Sequence, residues 1–252
     1  MKITKTLMLA LSVSIASLGS VAQAADKITI ATEGAWAPFN FIDANGEPQG
    51  FDVDIAKALC IKMNKECDIV TLDFDGLIPG LKVKKYDAIS ASISITEERM
   101  KQVDFTYPIY SGGLRFMAAK NKDFDTARSA LKGKTIGAQR STIAAKYLED
   151  YLSDVVDIKL YGNNDNVYLD LQAGRLDGAL SDELPTYDWL KSEGGQDFEF
   201  KGEAFAKDDK IAIVVRKGND ELREGFNKAI EQIVEDGTYA KINAKYFPFS
   251  IY

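Results

Sequence analysis

The sequence predicts an α/β fold built on parallel strands, and three observations predict it. Short apolar runs alternate with segments of helical period, turn and cap residues fall between them, and one strand ends in small hydroxyl residues that lead straight into a helix start. That last stretch, Asp87 to Arg99 (DAISASISITEER), organises the rest. Asp87 to Ser90 reads as a buried strand, Thr96 as a helix N-cap, and Ser94 with Glu97 as a capping box. A helix start offers unpaired N–H groups, Ser92 and Ser94 add hydroxyls, and Arg99 adds a fork of donors. Together they suit a small carboxylate, although a plain capped helix with a solvated arginine is the commoner meaning of such a string.

Lys27 to Thr32 (KITIAT) alternates as a strand and ends in a Gly- and Pro-rich loop, Glu33 to Phe39. Asn45-Gly46 marks a hairpin-type turn. A helix is expected over Val53 to Met63, a strand over Asp68 to Leu72, and a helix capped by Asp75 and running through Lys82. After the organising stretch, Asp104 to Tyr110 is extended, Ser111-Gly112-Gly113 forms a hinge, and Leu114 to Ala119 is a strand. The alternation then restarts. Lys134 to Gln139 is a strand, Arg140-Ser141-Thr142 opens a helix to Tyr151, and Asp157 to Tyr161 is a strand. Asp165 caps a helix to Ala173, and Leu176 to Ser181 is a strand ended by Asp182-Glu183. Lys210 to Arg216 is an apolar strand, and two helices follow, Asp220 to Val234 and Tyr239 to Tyr246, parted by Asp236-Gly237. These are two α/β units of similar grammar without a sequence repeat.

The first 24 residues read as a secretory signal peptide: Lys2 and Lys5, an apolar run, and Ala22-Gln23-Ala24 before Ala25. No cysteine stands at the cleavage point, so no lipid anchor is expected, and no later window reaches the length of a membrane span. Without the leader, 29 basic residues face 38 acidic ones, a net charge of −9. That balance argues against nucleic acid and anionic membrane surfaces and favours cationic ligands. Histidine is absent from all 252 residues, which excludes Ser-His-Asp and Cys-His triads and nearly every zinc site. No metal and no cofactor is expected. Cys60 and Cys67, an even pair in an exported chain, suggest a disulfide; a metal or redox pair lacks histidine partners and C-x-x-C spacing.

Several strand ends point to one cleft, since open α/β sheets bind ligands beyond the carboxyl ends of their strands. They carry Glu33 and Trp36; Ser92, Ser94 and Arg99; and Ser141, Thr142 and Asp182, with Phe74 just past another strand. Arg99 and the helix start at Thr142 would hold an anion, and Asp182 would accept from an ammonium, which together describe an α-amino acid. Trp36 and Phe74 would sandwich an aliphatic stem or a guanidinium, and Glu33 would meet a distal cation. Taken singly, each of these residues has an ordinary structural role as cap, turn or core.

The chain resembles the periplasmic solute-binding proteins of the polar amino-acid ABC importer family, most closely the lysine/arginine/ornithine- and histidine-binding branch. The resemblance spans essentially the whole mature chain. It lies in Ala37-Pro38-Phe39, Gly50-Phe51-Asp52-Val53-Asp54, Gly76-Leu77-Ile78-Pro79, Ser94 to Arg99, Gly174-Arg175-Leu176-Asp177-Gly178-Ala179 and Asp236-Gly237-Thr238-Tyr239. It implies a two-lobed periplasmic-binding-protein-like fold (type II), two α/β lobes joined by two crossing strands. Residues 25–111 with 211–252 would form the first lobe and 112–210 the second. It implies that Arg99 clamps the α-carboxylate with Ser94 and the Thr142 backbone. Ser92 and Asp182 would receive the α-ammonium, Trp36 and Phe74 would stack on the side chain, and Glu33 would meet its cationic end. Gln139 and Arg140 would line the entrance to the second lobe, where the lysine/arginine/ornithine binder has Leu and Gln. Ala91, Glu33 and Trp36 stand where that binder has Ser, Asp and Tyr. The Cys60–Cys67 pair matches the disulfide that basic amino-acid binders share.

The expectation is a monomeric periplasmic protein that binds a basic L-amino acid, arginine favoured over lysine, ornithine and histidine, and delivers it to a membrane permease. Two rivals share the fold. One is an exported cyclohexadienyl-dehydratase-like lyase, with Glu183 or Glu33 as general acid. The other is an opine binder, suggested by Ala31 to Gly34, although such proteins lack an aspartate at the position of Asp182. Ser129-x-x-Lys132 matches S-x-x-K without any other β-lactamase motif, and a receptor's sensor domain would need a membrane span.

Overall fold

The structure, a computed structural model, describes residues 27–252. The expected signal peptide lies outside the described residues. Strand β1 (Lys27–Thr32) leads into a three-stranded meander, β2 (Ala35–Trp36), β3 (Asn40–Ile42) and β4 (Pro48–Gln49). The Asn45-Gly46 turn forms: the Asp43 carboxylate accepts from the N–H groups of Asn45 and Glu47 at 2.8 and 2.9 Å. Then come α1 (Phe51–Lys62), β5 (Glu66–Thr71), α2 (Phe74–Lys82), β6 (Ala88–Ile89) and the single turn α3 (Glu97–Met100). Gly50 sits at φ 120°, and a Cβ there would stand 2.3 Å from the Phe39 carbonyl oxygen. Only glycine lets α1 start this close to the meander. There the first N–H groups of α1, those of Phe51 and Asp52, find acceptors in Pro38 O and Phe39 O at 3.0 and 2.8 Å.

The chain continues through β7 (Val103–Ala119), β8 (Thr135–Gln139), α4 (Ile143–Leu152), β9 (Asp157–Tyr161), α5 (Asn164–Gln172), β10 (Gly178–Asp182) and α6 (Glu183–Trp189). It ends with β11 (Phe198–Arg216), α7 (Asp220–Glu235) and α8 (Thr238–Tyr246). The large sheet has the order β5-β1-β6-β11-β7-β10-β8-β9. β1 is parallel to β5 and β6, and β8 is parallel to β9 and β10. Between these two parallel sets run β7 and β11, antiparallel to each other and 17 and 19 residues long. This is the two-lobed fold, with two long strands crossing between lobes.

Period-two alternation builds a core on each sheet face. Ile28 and Ile30 of β1 and Ile211, Ile213 and Val215 of β11 join Phe51, Leu59, Phe226 and Ile230 on one face. Ala31 and Val214 point the other way, to Leu77, Leu81 and Ile89. In the other half, Leu114, Phe116 and Ala118 face Ile136, Leu148 and Leu180, whereas Met117 faces Val167, Leu171 and Ala179.

Several details differ from expectation. The cap of α2 is Asp73, and that of α5 is Asn163, whose side chain accepts from Asn166 N–H at 3.0 Å. Asp75 and Asp165 lie inside those helices. A cap needs extended backbone and a side chain that reaches the third helical N–H, which Asn163 has and Asp165 does not. Ser94 is no part of a capping box: the Thr96 hydroxyl alone accepts from Arg99 N–H at 3.2 Å, and the Ser94 hydroxyl turns elsewhere. β7 passes unbroken through Ser111–Gly113. β11 starts at Phe198, twelve residues before the expected strand, because its charged first half pairs with β7 through several bulges rather than through an apolar pattern. The short α6 was not anticipated; Pro185 sits in its first turn, where no intrahelical N–H bond is lost.

Cys60 and Cys67 are joined, tying the end of α1 to β5. Replacing both with serine should lower stability by about 2 kcal/mol, from loop-closure entropy returned to the unfolded chain. Chemical denaturation of the oxidised protein and the double variant measures this, and equal midpoints would contradict it.

Candidate functional site

Arg99 rests on a single helical turn, so neighbouring segments must fix its side chain. Nη1 donates to Ser94 O and Nη2 to Ser141 O, both at 2.9 Å. Ser94 follows β6 and Ser141 precedes α4, so one guanidinium spans the two lobes. It also lies 5.8 Å from the Phe74 ring centre. Burial lowers its pKa, while Asp209, Asp182 and Glu98 oppose the drop.

Behind Arg99 is a buried polar network. The Ser92 hydroxyl donates to Asp52 Oδ2 at 2.8 Å and accepts from the Tyr110 hydroxyl at 2.8 Å. Asn40 Nδ2 donates to the same Asp52 oxygen at 2.9 Å. Ser92 holds φ 53°, a left-handed conformation that costs a non-glycine residue free energy, and its bond to Asp52 holds it there. Burial pushes the Asp52 carboxyl up to about 7, with Ser92 and Asn40 opposing. With its proton on Asp52, the Ser92 oxygen keeps one lone pair for a further donor.

The Ser94 hydroxyl donates to Asp209 Oδ2 at 2.8 Å. Asp209 is absent from the residues singled out in the sequence. It sits in the charged run Lys207-Asp208-Asp209-Lys210, which has no local signal, and β11 brings it to the cleft through long-range pairing. Burial raises its carboxyl to about 6, and burial with the nearby Asp209 raises Asp182 to about 7, where Arg99 opposes. Asp182 closes β10 and begins α6.

Glu33 is 8 % exposed and accepts from Gln139 Nε2 at 2.6 Å. Burial pushes its carboxyl up to about 7; the Gln139 bond lowers it, and Asp165, Asp73 and Asp75 add to the rise. Thr142 caps α4: its hydroxyl donates to Gln139 O at 2.7 Å and accepts from Ala145 N–H at 3.2 Å. An Asp75–Arg140 ion pair at 3.6 Å adds a third link between lobes.

Trp36, Phe74, Ser92, Ser94, Arg99, Gln139, Thr142 and Asp182 line one cavity, with Ile143 as an addition, and Glu33 reaches it through Gln139. Eight of the nine residues expected to bind ligand thus line it, the ninth, Glu33, bonds to one of them, and Ser141 and Arg140 lie beside it on Arg99 and Asp75. The cavity measures about 10 Å³, roughly the room one water needs. The lobes are closed, and an amino acid enters only if they part. A hollow of about 720 Å³ between α1 and α7 lies at the opposite end of β1, beside Lys27 and Lys62. Among the described residues, no group of three or more His, Cys, Asp or Glu could hold a metal, and no helix is long and apolar enough to cross a membrane.

The family model for bacterial extracellular solute-binding proteins, family 3, matches residues 28–249. The histidine-binding periplasmic protein of Salmonella typhimurium is 41% identical over 254 residues, covering 98% of this chain and 96% of that one. The lysine/arginine/ornithine-binding periplasmic protein of Escherichia coli is 41% identical over 240 residues, covering 92% of each. A solved structure of an ancestral arginine-binding protein bound to arginine is 36% identical with a TM-score of 0.85, covering 89% of this chain and 99% of that one.

Glu33, Asp52, Asp182 and Asp209 all have carboxyls raised from ordinary values near 4 to about 6 or 7. Between those limits the folded chain binds protons that the unfolded chain has released, so stability falls as pH rises through the folded values. The ligand-free protein should melt at a higher temperature at pH 5 than at pH 8, and Asp52→Asn should flatten that slope. Scanning calorimetry from pH 5 to 8 measures both, and a melting temperature that climbs with pH would contradict them.

Proposed function

Because the chain belongs to the bacterial extracellular solute-binding proteins, family 3, we propose that it is the periplasmic substrate-binding component of an ABC amino-acid importer. Its ligand is a basic L-amino acid, arginine ahead of lysine, ornithine and histidine. The observation that carries this is the charge around one cavity: the Arg99 guanidinium on its wall and the buried Glu33 carboxyl bonded to its wall residue Gln139, with Trp36 and Phe74 beside them.

The roles follow from the chemistry of an α-amino acid. Arg99 binds the α-carboxylate as a charge-assisted pair, with Ser94 and the backbone at Thr142 beside it. Asp182 and the remaining lone pair of Ser92 take the α-ammonium. Trp36 and Phe74 stack on the side chain, and Glu33 with Gln139 meets its cation. A cation beside Glu33 returns that carboxyl toward its ordinary value, so each buried charge gains a partner on binding.

Residues 25–111 with 211–252 form the first lobe and 112–210 the second. Ligand first meets the first lobe, which owns Arg99, Trp36 and Phe74, and closure adds Thr142, Gln139 and Asp182. The closed form is favoured because the ligand touches more of it, which is hinge closure by differential affinity. The protein works as an exported monomer, released from its signal peptide, and hands its ligand to a membrane permease. It is a carrier without catalytic residues. A lyase reading draws on Glu33, whose raised carboxyl could act as a general acid. Prephenate, an anion without a distal cation, leaves Glu33 and its aromatic neighbours without a purpose.

A calorimetric screen of the twenty amino acids with ornithine, citrulline and octopine tests the reading. Arginine should bind at micromolar or tighter Kd, and prephenate should not be turned over. Binding of glutamate or glutamine alone, or prephenate turnover, would overturn it. Arg99→Ala should weaken every ligand at least about 100-fold, the scale of losing a buried charge partner. Glu33→Gln should cost basic ligands more than neutral ones; equal losses would refute the division of labour.

A further inference from the structure

We infer, resting on that reading of the cleft, that Asp209 is a positioning residue for the α-carboxylate: it holds the proton of the Ser94 hydroxyl while the cleft is empty and yields it when ligand binds. Asp209 is then a resident anion that competes with the ligand's carboxylate for the same donors. The geometry starts from Ser94, which is 4 % exposed and lines the cavity. Its carbonyl oxygen accepts from Arg99 Nη1 at 2.9 Å, and its hydroxyl donates to Asp209 Oδ2 at 2.8 Å. A serine hydroxyl has one proton. While that proton points at Asp209, Ser94 shows the cavity only lone pairs, which repel a carboxylate. Asp209 itself lines a different hollow, of about 500 Å³, with Ile95, Leu114 and Tyr147. It is half-buried there, so its carboxyl can exchange protons with water.

The ordinary meaning of the Ser94–Asp209 bond is to pin β11 to the segment after β6, and the main chain does that without it. Ile95 N–H donates to Lys210 O at 2.8 Å, Ala212 N–H donates to Ile93 O at 3.2 Å, and Ser94 pairs with Ile211 as an antiparallel bridge. The side-chain bond adds nothing to that register. Asp209 makes no ion pair among the described residues, and Ser94 is the one side chain that donates to its carboxylate.

The charges around Asp209 come from four elements. Arg99 acts on it from α3, and it acts in turn on Asp182 at the end of β10 and on Tyr110 of β7. Asp208 and Lys210 flank it on β11, and Lys210 Nζ donates to Ser111 Oγ at 2.7 Å. Across the hollow, α4 presents Tyr147 and Tyr151 with Lys146 and Asp150, which pair with each other at 3.0 Å. Burial raises the Asp209 carboxyl to about 6, and the Ser94 bond and then Arg99 hold it down. A ligand carboxylate takes both of those from it, so binding draws a proton from water onto Asp209. The protonated carboxyl then donates to Ser94 Oγ, and Ser94 turns its own proton to the ligand.

Calorimetric titration of the full protein with L-arginine and agmatine at pH 5 and pH 8, before and after Asp209→Asn, tests this. The asparagine amide stands in for protonated Asp209: it is uncharged and donates to Ser94 in the same way. At pH 5, where Asp209 is itself mostly protonated, the two proteins should bind arginine within about twofold of each other. At pH 8 the variant should bind arginine about fivefold tighter, and agmatine, which has no carboxylate, should gain nothing. If Asp209→Asn does not fold, Asp209→Ala carries the same measurement, since it too frees the Ser94 proton. Unchanged affinity at pH 8, an equal loss at both pH values, or the same gain for agmatine overturns the role of Asp209 while the cleft reading stands. A wild-type protein that does not bind arginine at either pH overturns that reading and this one together.

Discussion

The rest of the cleft depends on one side chain held across the gap between lobes. Arg99 gives one donor to Ser94 O and another to Ser141 O, so the groups that fix it belong to opposite sides. A helix of one turn cannot rigidify an arginine, and the surroundings do so instead. Thr96 caps the turn, the Phe74 ring lies within cation–π range, and Asp209 and Asp182 supply opposite charge. A guanidinium stays charged even when burial lowers its pKa, so this end of the cleft is permanently positive.

The remaining buried ionisable groups of the cleft are acids. Glu33, Asp52, Asp182 and Asp209 are all pushed upward by burial, and Asp182 also by Asp209. Asp52 is the structural member: it holds Ser92 in a left-handed conformation and so sets the turn that follows β6. Of the other three, Asp182 lines the cavity, Asp209 accepts from the Ser94 hydroxyl and Glu33 accepts from the Gln139 amide; in the proposed function a zwitterion with an extra cation balances them. In the proposed function a basic amino acid completes this set of charges, and closure without one leaves the acids unbalanced. That is the physical link between ligand chemistry and the hinge.

Much of this was legible locally. β1, the Asn45-Gly46 turn, α1, β5, β8, α4, β9 and the two final helices announce themselves through alternation, helical period and caps. The gathering of Arg99, Glu33, Trp36, Phe74, Thr142 and Asp182 followed from their places at strand ends. What stayed hidden was long-range. The first half of β11 is charged and exposed, and it is a strand only because β7 supplies its partners. Asp209 enters the cleft by that pairing, and Ser94 turns from a local cap to it. Asp165 looks like a helix cap until Asn163 proves to hold that role. The Ser92–Asp52 bond joins residues forty positions apart, which no window along the chain spans.

The central claim is that Arg99 reads the α-carboxylate of a basic amino acid. Comparing L-arginine with agmatine, which keeps the guanidinium and stem and lacks the carboxylate, tests it most directly by calorimetry on the wild-type protein. Agmatine should bind at least about 100-fold more weakly, because Arg99 then stays buried without its anion. Agmatine binding as tightly as arginine would contradict the account.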